Sequence, residues 1–135
     1  PGCRPEYNSV IATFCHKSVN GEPLRIDGDG HQERDFIYVE DVINAMVLAG
    51  IKVNNFISGV YNIGTNRTAS LRNIIQSINS SGLETKESYS PNASIGQNSF
   101  SLDSTYFRQQ FKWVPETTLQ SGIKKTLHSF QKEVT

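Results

Sequence analysis

The chain lacks an excess of charge of either sign. Thirteen Lys and Arg residues balance thirteen Asp and Glu residues among 135, so the formal net charge is zero and the pI is about 7.3. Proteins that bind nucleic acid or anionic membranes through charge usually carry a basic surplus. The composition therefore argues against both kinds of partner.

The chain also lacks long apolar runs and has little cysteine. Its longest apolar candidate, residues 42–53, is broken by polar residues and falls short of the roughly 18 residues that a membrane-spanning helix needs. Cys3 and Cys15 are too few for the disulfide framework of a small secreted domain. We see no signal peptide and expect a cytoplasmic protein; because residue 1 is Pro1, we expect a processed chain or a piece of a longer one.

What is present is a globular composition with alternating helix and strand signals. Hydrophobic residues make up 36% of the chain and mean hydropathy is −0.42, which is too apolar for wholesale disorder. Apolar spacing and capping residues predict helices over residues 8–19, 40–50, 70–78, 103–111 and 118–132. Short β-like runs predict strands at 24–26, 36–39, 60–63 and 85–90. The predicted class is α/β, with too few strands for a self-sufficient doubly wound sheet, so we expect them to complete a sheet that lies mostly outside the chain.

Several motifs that carry chemistry are missing. The turn at Gly28-Asp29-Gly30 begins like a dinucleotide fingerprint, but its third glycine is absent and a strand is predicted next, whereas phosphate binding needs a helix N-terminus. The turn also fails as a calcium loop, because Gln32 stands where that loop needs Gly. The cysteines lack zinc-ligand spacing, and there is neither a serine-hydrolase elbow nor a Walker loop. A tight turn between strands is the favoured interpretation, and we expect no metal site.

The chain contains no Tyr-x-x-x-Lys pair. None of its five tyrosines has Lys four residues later. Such a pair places both side chains on one helix face, where the cation can lower the pKa of the phenol for proton transfer. That device cannot be built here, so proton transfer by such a pair is excluded for this chain.

One stretch is dense in polar and charged residues. Residues 21–42 read Gly-Glu-Pro-Leu-Arg-Ile-Asp-Gly-Asp-Gly-His-Gln-Glu-Arg-Asp-Phe-Ile-Tyr-Val-Glu-Asp-Val. Arg34 lies just past the turn, where two strands would present it at the end of a sheet. A guanidinium group binds phosphate oxygens with two parallel hydrogen bonds, so Arg34 is a candidate anion clamp. The alternative is a surface ion pair with Glu33, Asp35 or Asp41.

This stretch resembles a signature of the nucleotide-sugar epimerase/dehydratase family, the extended short-chain dehydrogenases. Their substrate-side half typically reads Gly-x-Pro-Leu-x-Ile-Tyr-Gly-Asp-Gly-x-Gln-x-Arg-Asp-Phe-x-Tyr-Val-x-Asp-Val, and nearly every position matches. Three further pieces match in the family's order: residues 1–5, similar to the tail of its Tyr-Gly-Pro-Gly loop; residues 60–64, similar to its Val-Tyr-Asn-Ile-Gly strand; and residues 102–122, similar to its Asp…Leu-Gly-Trp-x-Pro…Leu-x-x-Gly ending. The resemblance covers essentially the whole chain.

The resemblance implies that residues 1–135 are the C-terminal, substrate-binding portion of a UDP-glucose 4-epimerase-like enzyme. The Rossmann domain would be absent, with residues 60–63 supplying the last strand of its sheet, and NAD or NADP would bind mainly outside this chain. Since the family's glycine fingerprint and Tyr-x-x-x-Lys pair would also lie outside it, the resemblance implies no catalytic residue in this chain and no activity from it alone. The implied partners are a nucleotide sugar, with a UDP-sugar favoured, the missing N-terminal Rossmann half and, as an option, a homodimer mate. The faces of helices 40–50 and 70–78 that meet the cofactor domain would be exposed apolar surface in this chain.

By position, the resemblance assigns roles in substrate binding to six residues. Arg34 matches the arginine that holds the diphosphate of the sugar nucleotide. Leu24 and Ile26 match the strand against which the base packs, and Val10 lies on the helix that lines the same pocket. Core packing is the alternative role for the last three.

The remaining two positions depart from the family pattern. Asp27 stands where the family commonly has Tyr or Phe beside the base, and a carboxylate cannot supply that aromatic surface. Asn98 lies where a second phosphate-side arginine is common, so that contact is lost or replaced by a neutral donor.

Other functions remain open at this point. Residues 4–16 also resemble a related branch of nucleotide-sugar 4-keto reductases, although the middle and the end of the chain do not. The chain could instead be a non-catalytic, truncated binding module, or an α/β interaction fragment without a ligand.

Overall fold

A computed structural model describes residues 9–52, 59–91 and 99–133, and the statements below concern those residues. Helices and short strands follow one another along the chain. The elements are α1 (Val10–Val19), β1 (Leu24–Asp27), β2 (Glu33–Arg34), α2 (Val39–Ile51), β3 (Ala69–Ser70), α3 (Leu71–Asn79), β4 (Glu87–Ser90), β5 (Ser99–Phe100), α4 (Thr105–Phe111) and α5 (Leu119–Glu133). The predicted α/β class and all five predicted helices are confirmed.

Two compact units are assembled from alternating segments of the chain. The described residues within 1–32, 70–98 and 118–135 form the first unit, and those within 33–69 and 99–117 form the second. Each unit has its own core.

The first unit packs helices on a small parallel sheet. Strands β1 and β4 pair in register from Leu24 opposite Glu87 to Asp27 opposite Ser90, and helices α1, α3 and α5 pack against one another. The aliphatic side chains with almost no exposed surface are Leu24, Ile26, Ile74, Ile78 and Ile123.

The apolar face of helix α3 is covered within the first unit. A capping box between Ser70 and Asn73 begins the helix, and four apolar side chains at helical spacing line one face: Leu71, Ile74, Ile75 and Ile78. All four are buried within this unit, against α1 and α5. The expectation that this face is exposed was therefore wrong.

The second unit has an aromatic core. Ala45 of α2 packs with Phe107, Phe111 and Trp113. The rings of Phe107 and Phe111 stack at 4.3 Å between centroids, and Trp113 meets Phe107 edge-on at 5.5 Å. Asp41, also on α2 and buried, accepts hydrogen bonds from the backbone N–H groups of Glu116 and Thr117, both at 3.1 Å. The segment after Trp113 is therefore held to α2.

Two of the four strand predictions need correction. The strand predicted at 36–39 lies instead at Glu33–Arg34. Val39 already begins α2, and the Tyr38 carbonyl accepts hydrogen bonds from the N–H groups of Asp41 and Val42. The sheet order here is β3-β2-β5, with β2 and β5 parallel, so β2 does not form a hairpin with β1. Residues 60–63 have no strand assignment, since none of the described strands pairs with them, and Val60 is 97% exposed.

Helix α2 exposes a stripe of apolar side chains, as expected for the helix predicted at 40–50. The stripe consists of Val39, Ile43, Met46, Val47 and Ile51 and is called the α2 stripe below. Their exposed fractions run from 51% to 76%, and their spacing places them on one side of the helix. Among the described residues, no helix combines the length and apolar character needed to cross a bilayer.

Cys15 should be chemically inert while the chain is folded. It is fully buried on α1, and burial raises the pKa of its thiol from 9.0 to about 12. In a Cys3→Ser variant we expect a thiol reagent at about pH 8 to label the protein only after denaturant is added.

The unfolded thiol ionises near 9.0 and the folded thiol near 12, so the free energy of unfolding should fall as pH rises between these values. Fast labelling of the native chain would contradict both expectations.

Candidate functional site

The charged part of the dense stretch, residues 33–41, forms the candidate site and is called the motif segment below. It contains β2 and the start of α2. Arg34 is half-buried on β2, and its Nη1 donates to the Glu33 carbonyl oxygen at 2.6 Å. Because β2 is paired in parallel with β5, opposite Phe100, the backbone that carries Arg34 is fixed by a neighbouring strand.

Glu33 joins the motif segment to two other segments. Its Oε2 accepts a hydrogen bond from the Thr68 hydroxyl at 2.8 Å and another from the Ser99 hydroxyl at 3.2 Å. Ser99 lies opposite Glu33 in the β2–β5 register. The carboxylate therefore ties β2 both to β5 and to the segment before β3.

Asp35 is the most connected carboxylate of the motif segment. It accepts hydrogen bonds from the backbone N–H groups of Thr65, Asn66 and Leu102 at 3.0, 3.2 and 3.3 Å, and from the Thr65 hydroxyl at 2.5 Å. The backbone N–H of Asp35 donates to the Phe100 carbonyl at 3.0 Å. One side chain thus gathers the loop at 64–66 and the segment after β5.

The loop at 64–66 approaches Asp35 so closely that only glycine fits at its start. A Cβ on Gly64 would lie 2.8 Å from Asp35 Oδ2 and 2.9 Å from Leu102 Cβ. The loop is also held from α4, because the Ser104 hydroxyl and Arg108 Nη2 both donate to the Gly64 carbonyl, at 2.9 and 3.1 Å. Asn66 adopts the left-handed conformation and accepts from the Ser104 N–H.

Sequence reasoning named Glu33, Asp35 and Asp41 only as alternative ion-pair partners of Arg34 and did not anticipate a structural role for them. In the structure the oxygens of Asp35 and Asp41 accept hydrogen bonds from backbone N–H groups. Nothing in the sequence distinguishes such an anchor from a surface carboxylate, because the donors lie far along the chain. The only available signal was their place within the matched motif.

The six candidate binding residues are distributed over both units. Val10 begins α1 and is half-buried, and Leu24 and Ile26 have no exposed surface. The Asp27 side chain is 52% exposed and pairs with Arg25 Nε at 3.0 Å. These four belong to the first unit and Arg34 to the second.

Asn98 and residues 1–5 lie outside the described residues. The roles that the resemblance gives to them are therefore still predictions.

The turn after β1 is built for packing rather than for a dinucleotide. Gly28 and Gly30 both have positive φ, of 75° and 78°. Asp29 accepts from the His31 N–H at 2.9 Å, which lowers the pKa of the carboxyl. The Gly30 carbonyl accepts from the backbone N–H of Arg72 at the start of α3, and β2 follows the turn. The chain continues from this turn into a strand and not into a helix, so these residues do not fit a bound dinucleotide.

A metal ion has no evident holder in the described part of the chain. No group of three or more His, Cys, Asp or Glu side chains gathers there.

Comparison with known proteins identifies the group to which the motif segment belongs. A family model described as the NAD dependent epimerase/dehydratase family matches residues 1–64, which include the motif segment. A UDP-glucose 4-epimerase of Mycolicibacterium smegmatis is 30% identical over 123 residues, covering 90% of this chain. The chain belongs to the NAD-dependent epimerase/dehydratase family. Within that family it is also 30% identical over 129 residues to UDP-glucuronic acid decarboxylase 1 of Xenopus tropicalis.

Solved structures of the epimerase/dehydratase family share the fold. The UDP-glucose 4-epimerase of Thermotoga maritima with UDP-glucose superposes with a TM-score of 0.85 at 30% identity, over 96% of this chain. The UDP-glucuronic acid 4-epimerase of Bacillus cereus in complex with NAD gives 0.82 at 25% identity, over the whole chain. This chain spans 42% of each of these structures and 39% of the Mycolicibacterium relative.

Gly64 should tolerate no side chain, whereas Gly50 should accept one. We expect Gly64→Ala to lower the free energy of unfolding by about 1–3 kcal/mol, because the new Cβ would collide with Asp35 and Leu102. A Cβ added to Gly50, near the end of α2, would meet nothing within 4 Å, so Gly50→Ala should be neutral or stabilise by up to about 1 kcal/mol. Urea unfolding of the two variants measures both effects. Equal free energies of unfolding for the two variants would show that the loop at 64–66 is not closely packed against Asp35.

Proposed function

We propose that this chain is the substrate-binding portion of a nucleotide-sugar epimerase/dehydratase similar to UDP-glucose 4-epimerase. In this proposal it binds the diphosphate and base of a sugar nucleotide, most favourably a UDP-sugar. The observation that carries it is Arg34, set on a paired strand inside the matched motif segment. The Thermotoga maritima epimerase, which shares the fold, was solved with UDP-glucose.

The surroundings of Arg34 suit it to an anionic group. The hydrogen bond from Nη1 to the Glu33 carbonyl restricts the side chain, and its backbone is paired with β5. An arginine that is already ordered loses less conformational entropy when it binds a ligand. A guanidinium group also matches two phosphate oxygens at once, which gives the contact both charge and direction.

We propose that the base contacts residues of the first unit. Since Leu24 and Ile26 are fully buried, their contribution is to fix the strand that presents Asp27. Asp27 and Val10 retain exposed surface and are the candidates for direct contact. Asn98 is proposed to act as a neutral donor near the phosphates.

We infer that the α2 stripe is covered by the Rossmann half of the parent enzyme. The stripe is a continuous apolar surface on a helix whose opposite side is already in a core. Residues 60–63 would become a strand when a neighbouring strand is supplied, which accounts for the 97% exposure of Val60 here. The chain spans about two fifths of the two UDP-glucose 4-epimerases named above, which leaves room for such a half.

In this proposal the Rossmann half of the parent enzyme carries out catalysis. NAD or NADP would bind mainly there, because the described residues of this chain form no dinucleotide turn. This chain would supply substrate binding and orientation.

Titration calorimetry with UDP-glucose tests the role of Arg34. We expect weak binding by the 135-residue chain and a loss of roughly 30–150-fold in affinity for Arg34→Ala, the value of about 2–3 kcal/mol for a charge-assisted contact. Lys124→Ala removes the same charge from an exposed position on α5 and should leave the affinity unchanged. Free NAD is the control ligand and should not bind. Equal affinity of the wild-type chain and Arg34→Ala would contradict the clamp.

The gene upstream of Pro1 tests the proposed division of labour. We expect the same reading frame to encode a glycine fingerprint and a Tyr-x-x-x-Lys helix. A start codon directly before Pro1, with no such half in frame, would instead support the truncated binding module.

A further inference from the structure

Strand β4 has one hydrogen-bonding edge that no described strand occupies. Its partner is β1, and the Leu24 and Gly28 N–H groups donate to the carbonyls of Lys86 and Ser90 at 2.7 and 2.9 Å. Successive residues of a strand direct their backbone groups to opposite edges. Lys86, Ser88 and Ser90 therefore face β1, and Glu87 and Tyr89 direct their N–H and C=O groups away from it.

A cleft of about 510 Å³ lies beside this edge, within the first unit. Helix α3 forms one wall and β4 the other. The lining residues used below are Arg72 from α3 and Glu87 and Tyr89 from β4. All three side chains are exposed, so the cleft is open to a partner.

The cleft holds one cation and one anion in fixed places. Arg72 Nε donates to the Asp29 carbonyl at 2.9 Å, and the Arg72 guanidinium carbon lies 5.8 Å from the Tyr89 ring centroid. The Tyr89 hydroxyl donates to Glu87 Oε2 at 2.5 Å. Arg72, Tyr89 and Glu87 thus follow one another along the cleft, with opposite charges at its two ends.

A surface with this order of charges is complementary to itself. In a two-fold symmetric interface the same patch meets its own copy, so residue i contacts residue j and j contacts i. If two β4 strands pair in antiparallel fashion about an axis at Ser88, Glu87 of each copy lies opposite Tyr89 of the other. Glu87 then also lies beside the Arg72 that covers that tyrosine.

We propose that a second copy of this chain docks on the β4 edge through this pairing. The two small sheets join into one of order β1-β4-β4-β1, with the backbone groups of Glu87 and Tyr89 satisfied across the axis. Two reciprocal ion pairs between Arg72 and Glu87 fix the register. A foreign strand would have to match both the cation and the anion, whereas the second copy brings both in the required order.

Sedimentation velocity over a hundredfold range of concentration tests the pairing, with charge-reversal variants. The wild-type chain should show a weak, reversible monomer–dimer equilibrium. Arg72→Glu and Glu87→Arg each juxtapose like charges and should raise the dimer dissociation constant by roughly tenfold or more. An equimolar mixture of the two variants restores both ion pairs, so dimers should return and should be heterodimers.

Lys86→Glu is the matched control. It changes the net charge by the same amount as Arg72→Glu, but Lys86 does not line the cleft, so the dimer should persist. Recovery of dimers on mixing also shows that both variants are folded. A wild-type chain that stays monomeric, or a dimer indifferent to both charge reversals, would overturn the proposal; indifference would point to association through the α2 stripe, which carries no charge.

Discussion

The hydrogen bonds of the Asp35 carboxylate are the interaction on which the second unit depends. Its two oxygens accept from three backbone N–H groups in two segments, and Gly64 can approach only because it has no side chain. A short strand of two residues, such as β2, has few ladder hydrogen bonds with which to fix its position. The carboxylate supplies the missing connections, and an unsatisfied N–H in their place would be costly.

Asp41 makes the same kind of hydrogen bonds at the other end of the motif segment, and the α2 stripe lies exposed on that helix. Asp41 holds the segment after Trp113, while Ala45 faces the aromatic core. A helix in a two-layer arrangement needs only one apolar face. The α2 stripe is a second one, and its cost in water is the physical reason to expect a further layer of protein against it.

Local sequence signals predicted the helices well. The strand positions and the burial of α3 were predicted less well, because they depend on contacts between residues far apart in the chain. Ser9, Ser70 and Thr118 each accept a hydrogen bond from the first turn of the helix they precede, and such caps are readable from the sequence. The strand at Glu33–Arg34 is defined by Ser99 and Phe100, far along the chain, so its position was predicted a few residues late. The burial of α3 was missed for the same reason, since α1 and α5 cover it.

The candidate site was predicted in part for a related reason. The matched motif placed Arg34 and its neighbours in one segment, and the structure keeps them together on β2 and α2. Their division of labour was not predictable, because Asp35 and Asp41 bond to N–H groups up to 76 positions away.

The arrangement of the motif segment also resolves an electrostatic difficulty in using Arg34 to bind an anion. The motif segment carries four carboxylates, of Glu33, Asp35, Glu40 and Asp41, around the single cation of Arg34, and a simple sum of charges would make this segment repel a diphosphate. Backbone N–H dipoles point at both oxygens of Asp35 and of Asp41, and hydroxyl dipoles point at Glu33. Oriented dipoles of this kind offset part of the negative potential of each carboxylate. The same hydrogen bonds that assemble the unit therefore reduce the repulsion that an approaching phosphate would meet at Arg34.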